Sequence, residues 1–172
     1  MDVLYVGPDG GTSLHRAQAL HRLGHRVYLI DPRASVPNSR WLRPWIWRTG
    51  ALFLEEFVRQ KVLAQVPTNA WTLCLVDAGE LVGPGLVRDL KSRCGVIVNY
   101  NVDDPYGRRD GRRWRLYLRS VPLYDLVVVG REVNVAEAFA RGARRVLRVY
   151  RRADEEAHAP RPLTPADRLR WD

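Results

Sequence analysis

No long hydrophobic run is present. Trp71–Val76 and Leu126–Val129 are short apolar stretches, far below the roughly 20 residues a membrane-crossing helix needs, and they read as buried strands. No charged leader with an apolar core opens the chain. Asp2 runs straight into Val3-Leu4-Tyr5-Val6, which argues against a signal peptide. Cysteine is scarce: Cys74 and Cys94 lack the CxxC spacing of a zinc or redox site. Two free, mostly buried thiols in a cytoplasmic protein are expected, and no metal site. Lysine is nearly missing. Of 28 basic residues only Lys61 and Lys91 are lysines, and the remainder are arginines, whose planar forks suit phosphates and carboxylates.

What is present is ordinary globular composition. The 172 residues are 46% hydrophobic and 27% charged, with a net charge of +9. That length suits one domain. The basic surplus leaves two readings open, an arginine-rich surface habit or an anionic partner.

Strand and helix patterns alternate from the first residue. Val3–Val6 is a strand, bounded by Gly7-Pro8-Asp9-Gly10-Gly11. Ser13 offers an N-cap, Leu14, Ala17, Leu20 and Leu23 follow at helical spacing, and Gly24 stops the helix. Arg26–Ile30 is a second strand. Pro32 to Gly50 is irregular, with Trp41, Trp45 and Trp47 among Arg40, Arg43 and Arg48. A helix resumes near Thr49. Trp71–Val76, Val96–Tyr100, Leu126–Val129 and Val146–Val149 are further strands, separated by helices opening near Pro84, Asp110 and Glu132. The pattern fades beyond Arg151.

About six strands alternating with helices predict a doubly wound, parallel, Rossmann-like α/β sheet with helices on both faces. In the commonest order of that fold the first and fourth strands are neighbours, and ligands bind beyond their carboxyl ends. The loops Gly7–Ser13 and Asn101–Pro105 are then expected to line the crevice, with Asp77–Gly83 and Gly130–Glu132 beside them.

The glycine-rich loop brings Gly10, Gly11, Thr12 and Ser13 to a helix N-terminus, where amides and the helix dipole favour an anion. It is neither G-x-G-x-x-G nor a P-loop. A tight structural turn explains it as well, and so does a loop for a polar ligand. Asp31 stands where a dinucleotide fold places its ribose-binding acid. His15, early in the first helix, is a candidate base at the crevice mouth, against an exposed helix histidine. Asp103 and Asp104 follow the fourth strand and suit hydroxyl binding or proton transfer, against a turn shaped by Asp104-Pro105. Asn101, Arg131 and Glu132 are candidate substrate contacts. Arg108, Arg109, Arg112, Arg113, Arg115 and Arg119 form either a solvated helix face or an anion-binding patch. The Trp/Arg segment suits a membrane interface or an acceptor loop, or else a satellite core. A response-regulator receiver is excluded, because Gly7-Pro8 and Gly130-Arg131 stand where it needs an acidic pair and a lysine.

Val3–Asp31, with Gly10-Gly11 and Leu23-Gly24-His25-Arg26-Val27, resembles the first unit of glycosyltransferases with two Rossmann-like domains, the GT-B fold. Asn99-Tyr100-Asn101-Val102-Asp103-Asp104-Pro105, Tyr124–Val129, Arg131-Glu132-Val133-Asn134 and Gly142–Val146 resemble the N-terminal domain of CgeB-like (spore maturation protein-like) glycosyltransferases. The resemblance implies an acceptor-side domain over residues 1–150 and a linker or tail over 151–172. It also implies a C-terminal partner domain that holds a nucleotide sugar as co-substrate, with no tightly bound cofactor. His15, Asp103 and Asp104 would be its catalytic residues. Gly10, Gly11, Thr12, Ser13, Asn101, Arg131 and Glu132 would bind substrate. The alternative is a non-catalytic Rossmann-like module that docks an anionic ligand, an anionic membrane surface at its inner face, or a partner protein. Nucleic acid is not an expected partner.

Overall fold

A computed structural model describes residues 1–37, 39–107, 109–150 and 153–159. Arg108 and most of the expected tail lie outside the described residues, as does the side chain of Arg43. The elements are β1 (Asp2–Val6), α1 (Gly11–Arg22), β2 (Arg26–Ile30), a 3-10 turn (Pro32–Ser35), α2 (Leu42–Thr49) and α3 (Glu55–Leu63). They continue with β3 (Trp71–Asp77), α4 (Pro84–Lys91), β4 (Cys94–Asn101), α5 (Arg115–Ser120), a second 3-10 turn (Val121–Leu123), β5 (Leu126–Val129), α6 (Val133–Ala140) and β6 (Val146–Arg148).

All six strands are parallel, in the order β2-β1-β3-β4-β5-β6. The sequence reading of a doubly wound Rossmann-like sheet therefore holds. Its neighbour expectation does not. β1 pairs with β3, Val6 opposite Val76, so the strand order reverses between β1 and β3 rather than between β1 and β4. The segment that would supply a strand outside β2 instead folds into the 3-10 turn and α2. Asn101–Pro105 thus sits two strand spacings from β1, roughly 10 Å.

Right-handed crossovers explain the layers. The step from β1 to β2 runs one way and every later step runs the other, so α1 lies on the face opposite α3 to α6. Leu4, Val6, Cys74, Val76, Ile97 and Val127 face the larger helical layer. Val58 and Val62 of α3, Leu86, Val87 and Leu90 of α4, and Tyr117 of α5 close over them. Each buried aliphatic side chain of this kind is worth about 1.5–3 kcal/mol. Val3 and Tyr5 point to the α1 side and are also buried, which is why β1 reads as a continuous apolar run.

Several local details differ from the sequence reading. Gly10, not Ser13, is the N-cap of α1, and Ser13 is buried one turn in. The Trp-rich segment is helical, because Pro44 falls in the first turn of α2, where no intrahelical amide is needed. Gly50 ends α2 with φ 67°, and an added Cβ there would come within 2.3 Å of the Arg112 carbonyl. Cys94 opens β4. Asp110 does not cap α5 by its side chain; its carboxylate accepts the Trp114 indole N–H at 2.9 Å.

Candidate functional site

The reversal between β1 and β3 is filled by side chains. Asp77, at the end of β3 and only 7% exposed, accepts the Tyr5 hydroxyl at 2.5 Å and pairs with Arg16 of α1. The Tyr5 hydroxyl also meets Ser13 Oγ at 3.2 Å, and the Arg16 guanidinium lies 4.2 Å over the Tyr100 ring. Burial first, then the neighbouring Asp77 charge, pushes the Tyr5 phenol well above its usual range. Gly7 is required here. A Cβ would stand 2.8 Å from the Asp77 Cβ and 3.2 Å from Ser13 Oγ. Ser13 thus helps lock the loop to the sheet, while Gly10, Gly11 and Thr12 are exposed.

His15 is partly buried, with its ring edge-on to His158 at 5.7 Å. Arg22, two turns on, holds Asp154 at 2.7 Å and Glu156 at 3.1 Å. Segment 153–159 is therefore laid along α1, and His15 faces it.

The residues around β4 form a separate group. Asn101 is buried; its amide donates to the Ala78 carbonyl at 3.1 Å and its side-chain oxygen accepts the Asp103 amide at 3.0 Å. These bonds steady Ala78, which has φ 62°. Asp104 accepts from Arg131 at 3.0 Å, from Asn134 at 3.0 Å and from the Gly107 amide at 3.1 Å. Glu132 pairs with Arg148 of β6. Asp104, Arg131 and Glu132 tie the loops after β4 and β5 to neighbouring elements.

A cleft of about 510 Å³ opens elsewhere at the strand carboxyl ends, beneath α2. Its polar lining is Asp9, Asp31, Arg33, Glu80 and Arg113. Its apolar wall includes Val36, Leu42, Ile46, Trp47 and Leu81. A separate, much smaller pocket lined by Gly7, Asp77 and Gly79 shares Asp31 and Glu80 with the main cleft. The volume lies within the 300–1,000 Å³ typical of small-molecule sites.

The charges in this cleft are unevenly satisfied. Glu80 pairs with Arg33 and, at 3.1 Å, with Arg113. Arg113 also stacks over Trp47 at 5.0 Å and Trp114 at 4.4 Å. Asp31 accepts the Arg33 amide at 2.8 Å and the Asp9 amide at 3.4 Å, capping the 3-10 turn. Burial raises the Asp31 carboxyl above its usual range; the two amides oppose the rise, and the Asp9 charge adds to it. Neither Asp9 nor Asp31 joins an ion pair among the described residues.

Sequence reasoning flagged Asp31 and the Trp/Arg segment but did not join them. It missed Asp9, Arg33 and Glu80 as site residues and read Arg113 as part of a surface cluster. The shared signal was the position of Asp9, Asp31 and Glu80, each just past a strand end. The arginine surplus is partly internal bookkeeping of charge: Arg16, Arg22, Arg26, Arg33, Arg59 and Arg119 all pair with acids. Among the described residues no group of three His, Cys, Asp or Glu is placed to hold a metal ion. No described helix is long and apolar enough to cross a membrane. No protein-family model matches the chain, and no curated protein matches it.

Proposed function

We propose that this chain is the acceptor-binding half of a glycosyltransferase, with the activated sugar carried by a second, nucleotide-sugar-binding domain. The observation that carries the reading is the cleft beneath α2. It combines unpaired carboxylates with an apolar wall and an indole at the strand carboxyl ends, the edge where open α/β sheets bind ligands. Carboxylates accept hydroxyl hydrogen bonds, and an apolar wall takes the C–H faces of a saccharide or its aglycone. The resemblance of the Asn99–Pro105 and Arg131–Asn134 segments to CgeB-like enzymes supports the same assignment.

In this reading an acceptor hydroxyl oxygen attacks the anomeric carbon of the donor. The bond from that carbon to the nucleoside diphosphate breaks, the diphosphate leaves with the electron pair, and the hydroxyl proton passes to a base. The resemblance offers His15 as that base and Asp103 and Asp104 as further hydroxyl contacts; none of the three lines the cleft beneath α2, so an acceptor served by them extends beyond the cleft. The partner domain supplies electrostatic stabilisation of the leaving diphosphate.

Calorimetric titration of the chain with nucleotide sugars and with simple alkyl glycosides tests the division of labour. Glycosides should bind, and Asp31→Asn should weaken them, while nucleotide sugars bind weakly or not at all. Tight stoichiometric binding of a nucleotide sugar would overturn the assignment. The alternative, a module docking an anionic surface, has less support, because so many arginines are already paired within the fold.

A further inference from the structure

We propose that the cleft beneath α2 takes an amphipathic acceptor bearing a protonated amine, seated between the Asp9 and Asp31 carboxylates, with its apolar body against Val36, Leu42, Ile46 and Leu81. The proposal rests on the reading of this cleft as the acceptor site and specifies what that acceptor carries.

The first argument is shape and lining. The cavity is large enough for a molecule of drug-like size, and one wall is aliphatic. A fully polar ligand would leave that wall against water, whereas an alkyl or aryl body would cover it.

The second argument is charge. The chain is strongly basic overall, yet both guanidiniums of the cleft are turned onto Glu80, whose side chain is only 11% exposed. The charges left without an ion pair are the two acids, Asp9 and Asp31. An anionic ligand would meet these carboxylates in a lining that carries three acids against two arginines. A cation would meet two acceptors whose mutual repulsion it relieves.

The third argument is hydrogen-bonding capacity. Each Asp31 oxygen accepts one backbone amide, and a carboxylate oxygen offers about two lone-pair sites. The remaining acceptor capacity of Asp31 adjoins the Asp9 carboxyl, its hydrogen-bonding side-chain neighbour, so a donor placed there meets both acids. The ammonium group has three donors and satisfies both oxygens and Asp9 together. A hydroxyl donates one. Burial and the neighbouring Asp9 charge, which raise the Asp31 carboxyl, are the conditions under which a paired cation is worth most.

The test titrates the protein calorimetrically with four probes that share one alkyl tail: hexyl glucoside, hexyl 2-amino-2-deoxyglucoside, hexylamine and hexyl phosphate. The amino glycoside should bind about tenfold or more tighter than the glucoside, since hydrogen bonds to charged groups are worth about 1.5–3 kcal/mol. Asp9→Asn should remove most of that preference. Asp9 is exposed and outside any ion pair among the described residues, so this variant remains informative even if Asp31→Asn fails to fold. Equal binding of the two glycosides overturns the amine inference and leaves the acceptor reading standing. No binding of either glycoside overturns both. Hexylamine binding as tightly as the amino glycoside supports the amine site and counts against a saccharide acceptor. Tightest binding by hexyl phosphate overturns the proposal.

Discussion

Arg16 of α1 and Asp77 of β3 form an ion pair directly across the point where the strand order reverses. Asp77 is buried and also accepts the Tyr5 hydroxyl. The pair closes the crevice floor and leaves ligand space to the adjoining cleft beneath α2. Removing Arg16 strands a buried carboxylate, and breaking such pairs costs about 3–5 kcal/mol when both partners are buried. Arg16 retains 24% side-chain exposure, so solvent screening reduces the cost. Arg16→Ala should destabilise the fold by about 2–3 kcal/mol in urea denaturation. A loss below about 0.5 kcal/mol would show that the pair is solvated and structurally idle.

Gly7→Ala should cost about 1–3 kcal/mol, the usual range for overpacking. The added methyl would lie 2.8 Å from the Asp77 Cβ, and both atoms belong to rigid strand ends. Gly10→Ala meets nothing within 4 Å and should cost less, since only the N-cap preference for Gly over Ala is lost. Thermal melts of the two variants, side by side, check the contrast.

Acid should release two attachments at different pH. Burial alone would raise the Asp125 carboxyl, but the Lys91 ammonium and the Ile97 amide outweigh it and lower it. A depressed folded pKa stabilises fully above the unfolded value, about 4, and that stability fades as pH falls through the folded value. Asp125→Asn should therefore flatten the stability profile below about pH 4. Asp154 is held down to about 2 by the Ala157 amide, with Arg22 and the Glu156 amide assisting. The turn that Asp154 organises within segment 153–159, mainly through the Ala157 amide, should therefore hold through pH 4 and open only near the lower value. Amide NMR shifts of Glu156 and Ala157 follow the opening. A turn already lost at pH 4 would contradict this assignment.

Under the proposed glycosyltransferase reading, in a chain that includes the nucleotide-sugar-binding domain, His15→Ala should lower sugar transfer by at least about 100-fold, the lower range for loss of a general base. The melting temperature should move little, because His15 Nδ1 has no hydrogen-bond partner among the described residues. Unchanged turnover would remove His15 from the mechanism.

Asn101→Ala should destabilise by about 1–3 kcal/mol, because it removes the buried amide that holds the Ala78 carbonyl. If Asn101 instead contacts substrate, the variant should lose ligand affinity with its stability intact. Combined denaturation and calorimetry separate the two roles.

Much of the fold was legible because it is written in local periodicity. Val3–Val6 and Leu126–Val129 are unbroken apolar runs, and Leu86, Val87 and Leu90 recur at helical spacing. α2 was not legible, since three prolines and three tryptophans within Pro32–Gly50 mask its short helical period. The candidate site was half legible. Asp31 was visible as an acid after a strand. Its neighbour Asp9 was hidden within a turn motif, and Glu80 lies 49 residues beyond Asp31 in sequence.

Local periodicity was enough for the class of fold, because alternation of strand and helix periods leaves a parallel, doubly wound sheet as the way to bury both. Composition alone showed that the chain carries a large arginine surplus. Tertiary structure alone decided that β1 lies beside β3, because strand order depends on which neighbours cover the Pro32–Gly50 segment. It decided which arginines keep a free charge, because an ion pair is a relation in space. It also decided that Asp9, Asp31 and the α2 wall share one cleft, since residues distant in sequence meet only when the sheet aligns its strand ends.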